Sequence, residues 1–351
     1  QKKYTLCDFA DALENNFGKD MDAHYAEKVT KNAVADLVAT GKNIDLAIEH
    51  LGTRSEVFFS QTHRIIFDAI LDMHKQKTEH IDVVSLAYHL DKSCNYFYPK
   101  SITELCKERG MLTGVITTDE TSGATPASFT AHSSDRDNKD DITNDQLTSD
   151  TDLIWGTENG VATKEKANEN GFEYITTFSE MEALEEGSRS FAQFTNALWT
   201  LEQSDENTPN LEQMAVKAVD LLDDTDEGFF LMIEGAHIDK HSHSNDSEKT
   251  TQALQEFDRT IKAMLDYAKA DGETLVIVTA DHETGGLTLE DDNYIYTDDG
   301  HTAVDVPVLV YGTDKLIYNG EKLNNYEIPI RISYVLGFNE QEFPLSVQVS
   351  D

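Results

Sequence analysis

The sequence predicts an α/β fold around a largely parallel sheet, on two observations. From about residue 110 onward, short β-branched runs alternate with amphipathic segments, the pattern of strands joined by crossover helices. The clearest runs, TGVITT (113–118), FFLMIE (229–234), TLVIVTA (274–280) and VDVPVLVYG (304–312), are apolar almost without alternation, which suits strands covered on both faces.

In chain order, the first hundred residues differ in style from the rest. Phe59, Ile66, Ile70 and Met73 stand at helical spacing, and Val84, Leu86 and Leu90 form a second such run. Strand-like alternation is missing there. An atypical N-terminal region over residues 1–100, helical over 44–93, is therefore expected to precede a core over 101–351, with the boundary near 94–100. Residues 134–153 are acidic and polar, compatible with a solvated helix or a loop, and residues 157–212 hold too few apolar anchors to place elements. Between FFLMIE and TLVIVTA, Leu254, Phe257, Ile261, Leu265 and Ala268 recur at helical spacing and predict one amphipathic helix.

Composition narrows the function classes. The 351 residues, 39% hydrophobic, suffice for a sizeable core. No run approaches the ~18–20 apolar residues of a membrane span, and the start QKKYTLCDFADAL has no signal-peptide apolar core. Cys7, Cys94 and Cys106 form no CxxC pair, so neither a disulfide framework nor a thiolate zinc site is indicated. With 66 acidic and 28 basic residues the net charge is −38, a field that repels nucleic acid and anionic membranes. Its dispersal along the chain, rather than in a block, suits a solvated surface adapted to high salt. A site for anions in such a chain needs local cations.

The segment IEGAHIDKHSHSND (233–246) packs carboxylate and imidazole ligands into one turn. Asp239 and His243 stand four apart, so on a helix they share a face and can hold one ion in the mixed oxygen and nitrogen set that zinc accepts. A His-rich surface loop has the same composition, so support must come from elsewhere in the chain. Asp281 and His282 follow a strand in TADHETGG, and Glu234 ends another; ligands gather at such carboxyl edges. His301 precedes a strand in DGHTAVDVPV, while Thr125 offers a hydroxyl and Arg136 a fork suited to two phosphate oxygens.

Together GATPASFTAH, FFLMIEGAHIDKHSHSND, GETLVIVTADHETGG and GHTAVDVPVLVYG, in this order, resemble the alkaline phosphatases over residues 100–335. The resemblance implies a three-layer α/β/α sandwich, two zinc ions and one magnesium. Asp239, His243 and His301 would bind one zinc, Asp281 and His282 the second, and Glu234 and Thr125 the magnesium. His237 and His241 then fall outside the ligand set. Arg136 would clamp the substrate phosphate, and Lys240 matches a lysine that some members place near it. Small phosphate monoesters are the implied partners, with no nucleic acid or membrane, a homodimer the expected assembly, and a periplasmic or secreted mature form the expected location.

Two N-terminal features of that family lack a clear match. Asp11 in KYTLCDFADAL is the candidate for a metal-bridging aspartate. In VTKNAVADLVATGK (29–42), Lys31 and Asn32 stand where aspartate and the nucleophilic serine are expected, leaving Thr30 as the nearby hydroxyl. Residues 44–93 separately resemble the N-terminal helical domain of replicative hexameric helicases, although no GxxxxGK[ST] phosphate loop follows. Three functions are thus open: a metal-dependent phosphomonoesterase, a metal- and phosphate-binding homologue without turnover, and a protein-interaction module in the N-terminal region.

Overall fold

The computed structural model describes residues 99–337 except 134, 198–199, 201–206, 224, 291–292, 314–315, 318–319 and 326. The chain divides into two compact units, Gln1–Tyr96 with Ser133–Asn138, and Phe97–His132 with Lys139–Asp351. Nearly all of the described residues belong to the second unit. Asp11, Thr30, Lys31, Asn32 and the helical run over 44–93 lie outside the described residues.

Five parallel strands form the central sheet: β1 (Leu112–Glu120), β2 (Leu153–Thr157), β3 (Glu173–Ile175), β4 (Ser190–Phe194) and β5 (Phe229–Glu234), in the order β3-β4-β2-β1-β5. Period-two alternation sends successive side chains to opposite faces. Ile116, Leu153, Trp155, Ala192 and Phe194 pack on one face against α6 (Leu211–Leu222), through Met214, Ala215, Ala218 and Leu222, and against α8 (Ser247–Asp271). Ile154 and Phe191 point the other way, onto Leu147 of α3 (Lys139–Thr148) and Ala167 of α4 (Lys164–Glu169). Phe230 joins Ile102 and Cys106 of α1 (Pro99–Glu108), Phe129 of α2 (Ala124–Thr130) and Ile332 of α9 (Glu327–Val335) on that second face. The sheet is thus covered on both sides, and the fold is a three-layer α/β/α sandwich. Trp155, Phe191 and Phe194 are fully buried, each contributing roughly 1.5–3 kcal/mol of transfer free energy.

Three details depart from the sequence-based expectations or complete them. The acidic stretch over 134–153 contains the helix α3, which buries Ile142, Thr143, Gln146 and Leu147. Residues 157–212 hold α4, β3, α5 (Phe178–Glu182) and β4, elements too short to stand out by periodicity. The helix expected between FFLMIE and TLVIVTA is α8, but its inward face is rotated: Thr250, Ala253, Glu256, Thr260, Met264 and Ala268 are buried, while Leu254 is 52% exposed. Buried polar residues hid the true stripe from a count of apolar spacing.

The remaining strands form two-stranded pairs. β6 (Val276–Thr279) pairs antiparallel with β11 (Val308–Tyr311), β7 (Glu283–Thr284) with β10 (His301–Thr302), and β8 (Thr288–Glu290) with β9 (Asn293–Ile295). Among the described residues no helix is long and apolar enough to cross a membrane.

Candidate metal centre

Chain geometry brings the ligands together from three places. β5 ends at Glu234, and after a one-residue step past Gly235 the chain enters α7 (His237–His243), which places Asp239 and His243 on one face, one turn apart. β10 lies antiparallel to β7 with His301 opposite Thr284, so the register of that pair carries His301 to the same spot. Gly285, at φ 87°, makes the turn that follows β7, in a region that only glycine enters without cost.

Asp239, His243 and His301 present one ligand atom each, all within 4.8 Å of one another. Asp239 Oδ1 stands 3.3 Å from His243 Nε2 and 3.7 Å from His301 Nε2, and the two Nε2 atoms are 3.1 Å apart. Ligands ~2.0–2.1 Å from a tetrahedral zinc stand roughly 3.4 Å from each other, so these spacings fit a common ion. His243 Nδ1 lies 2.7 Å from the carbonyl oxygen of Asp299, a bond in which the ring must donate, which fixes the ring with its Nε2 facing His301.

Beside this triad stand Asp281 and His282, just past the end of β6, with His282 Nε2 3.2 Å from Asp281 Oδ2. The His282 ring stacks on that of His301, centroids 3.5 Å apart. Hydrogen bonding to Asp281 holds His282 above the usual imidazole range; burial followed by the His282 charge holds His301 below it. Burial raises Asp281, but its bond to His282 carries it net below the usual carboxylate range.

Glu234 lies close enough to the Thr125 hydroxyl for it to lower the Glu234 pKa. Thr117 Oγ1 donates to Glu234 Oε2, at 2.5 Å, because parallel pairing sets Thr117 beside Glu234. Burial pushes the Glu234 carboxyl up to about 7, against the two threonine hydroxyls and with the nearby Asp119 and Asp281 charges adding to the rise. A carboxylate so placed among other carboxylates calls for a cation, and hard oxygens from Glu234 and Thr125 suit magnesium. Lys240 Nζ is ion-paired with Asp119 Oδ1. Arg136 is exposed in a turn of the Ser133–Asn138 segment.

Residue-type reasoning missed Thr117, Asp119 and Thr284. Thr284 Oγ1 donates to Asp239 Oδ1 at 2.5 Å and lies 3.2 Å from His282 Nδ1, linking the two ligand groups. The available signal was position: TTDE closes an apolar strand, and Thr284 sits within TADHETGG. His237 contacts Thr118, with Nδ1 and Oγ1 3.0 Å apart, and burial followed by the Lys240 and His241 charges lowers it to about 4.

Comparison with known proteins extends the geometry. The chain is 33% identical over 202 residues to alkaline phosphatase 4 of Bacillus subtilis, covering 54% of this chain and 44% of that one. It therefore spans less than half the length of that relative. Its fold matches the cold-active alkaline phosphatase of a psychrophilic Shewanella, TM-score 0.61 at 25% identity over 67% of this chain and 78% of that one. It also matches the alkaline phosphatase of the Antarctic bacterium TAB5, TM-score 0.59 at 30% identity over 68% and 75%. A mutant of the latter, TM-score 0.56 and 30% identical over 68% and 75%, has magnesium bound in its M3 site. Residues 31–109 match the DnaB-like helicase N-terminal domain. The alkaline phosphatase family model matches residues 87–155 and 143–298, more than half of the chain, and the chain belongs to that family.

Proposed function

We propose that the chain hydrolyses phosphate monoesters with zinc and magnesium bound at the carboxyl edge of its sheet. The observation that carries this reading is the convergence of Asp239, His243 and His301 on one point with their ligand atoms facing. Asp239, His243 and His301 would hold one zinc, Asp281 and His282 a second, and Glu234 with Thr125 a magnesium. When bound, these cations supply Lewis acidity that neutralises phosphoryl charge and makes an oxygen nucleophile available. The protein's own groups do the rest. Thr284 fixes the Asp239 carboxylate, Asp299 fixes the His243 ring, and Thr117 orients Glu234. Lys240 brings positive charge to phosphoryl oxygens in a chain of net charge −38, and Arg136 is kept as the candidate phosphate clamp. Asp11 is kept as the candidate bridging ligand. Small phosphate esters outside the cytoplasm are the proposed substrates, and residues 1–100 a separate region, a division supported by the helicase-domain match over 31–109.

The test is phosphate release from an aryl phosphate at alkaline pH, abolished by chelation and restored by zinc with magnesium. No release from protein shown to carry its full complement of metal overturns the reading. The second reading, a binding homologue without turnover, is favoured by Lys31 and Asn32 where aspartate and serine are expected. Stoichiometric zinc and calorimetric phosphate binding without hydrolysis is its expected outcome, and a covalent phosphoserine or phosphothreonine excludes it.

A further inference from the structure

We propose that Asp119 is a positioning residue, its carboxylate fixing where Lys240 meets the phosphoryl group, and that residue 123 is glycine because that carboxylate fills the space beside it. The proposal rests on the phosphatase reading. Asp119 is the last residue but one of β1, and three bonds fix it. Its backbone N–H donates to Thr117 Oγ1 at 2.9 Å, the same hydroxyl that donates to Glu234. Its Oδ1 accepts the Glu120 N–H at 2.7 Å and also the Lys240 ammonium. The lysine is thereby tied, through Asp119 and Thr117, to the Glu234 corner of the site.

Gly123 supports the same conclusion from the other side. Its backbone, at φ −56°, is open to any residue, so conformation does not require glycine there. Space does: a Cβ would lie 2.8 Å from Asp119 Oδ2 and 3.1 Å from the Glu120 carbonyl oxygen. The near atom belongs to a side chain, but one already held by two bonds.

Stability is not the purpose of this ion pair. The Lys240 side chain is 45% exposed and that of Asp119 22%, a setting in which an ion pair contributes little to folding. What the pair does is restrain a four-carbon stem whose rotamer freedom otherwise opposes every bond its ammonium makes.

The sign of one substitution separates positioning from plain charge. Removing a negative charge next to the site would by itself tighten phosphate binding. If Asp119 acts by placing Lys240, Asp119→Asn weakens it instead, roughly tenfold, a scale set by the loss of one hydrogen bond to a charged group. The measurement is calorimetric binding of inorganic phosphate to zinc- and magnesium-loaded protein, with kcat and KM for an aryl phosphate alongside. Expected are a weaker phosphate Kd, a kcat reduced about tenfold with KM changed by less than about threefold, and no further loss when Asp119→Asn is added to Lys240→Ala. Gly123→Ala displaces the carboxylate while keeping every charge, and is expected to reproduce the weakening. Tighter phosphate binding by Asp119→Asn, or an effect undiminished in the Lys240→Ala background, overturns the proposal and leaves the phosphatase reading intact. Wild-type protein that binds no phosphate overturns both.

Discussion

At the scale of single residues, the proposed site depends on side chains that touch the candidate ligands as well as on those ligands. Asp239 Oδ1 faces His243 and His301 and at the same time accepts the Thr284 hydroxyl at 2.5 Å. That bond decides which way the carboxylate turns. Groups of this kind are commonly worth ~10–100-fold in metal affinity. Thr284→Val, nearly isosteric but unable to donate, is therefore expected to weaken zinc binding by about that factor in a chelator competition, with the unfolding midpoint of the metal-free protein shifted only slightly. An unchanged zinc affinity would show that packing alone orients Asp239. The proposed Asp, His and Glu ligands were legible in the sequence through the family motifs that surround them and not through residue type, since a carboxylate does not stand out in a chain with 66 acidic residues. Thr117, Asp119 and Thr284 were not, because a threonine acquires its role from register: Thr117 lies beside Glu234 only once β1 and β5 pair, and Thr284 faces His301 only once β7 and β10 do.

At the scale of elements, legibility followed the length of the unbroken apolar run and not burial. β1, β5, β6 and β11 announced themselves as long apolar runs, whereas β2, β3 and β4 were lost among polar neighbours although β4 is buried along its whole length. Local chemistry, not periodicity, marks the short helices between them. α5 is only five residues long, and its start is fixed by reciprocal bonds between Thr177 and Glu180. The Thr176 N–H and hydroxyl and the Thr177 N–H also donate to the Glu180 carboxylate and hold its pKa below the usual value, against a smaller opposing effect of burial. A depressed folded pKa gives stability that is present above the unfolded pKa, ~4.5, and lost as pH falls through the folded value. Glu180→Gln keeps an acceptor in the same place without the charge. It is expected to lower stability by roughly 0.3–1 kcal/mol at pH 7, the range for an exposed charge at a helix start, and the difference should shrink to nothing as urea titrations move from pH 6 to pH 3. A difference that persists at pH 3 would mean the effect is steric.

At the scale of the whole molecule, the net charge of −38 sets the site against its surroundings. The proposed metals and Lys240 would act over a few ångströms, while the acidic surface acts over tens, so salt treats the two differently. Raising sodium chloride from ~0.01 M to ~0.15 M shortens the screening length from about 30 Å to about 8 Å, which removes long-range repulsion among the carboxylates and leaves close contacts largely in place. The favourable surface pairs that salt also weakens are minor. Lys322–Asp305 has side chains 83% and 72% exposed, and pairs so exposed add little to stability. Repulsion therefore wins the comparison, and the thermal unfolding midpoint is expected to rise steadily over that salt range, with most of the rise reproduced by potassium chloride and little of it by an uncharged osmolyte at equal osmolality. The same screening should raise kcat/KM for a dianionic aryl phosphate as salt increases over that range, because the field that destabilises the fold also repels the substrate on approach. A midpoint that falls with salt would show that ion-pair networks, not dispersed repulsion, dominate the surface.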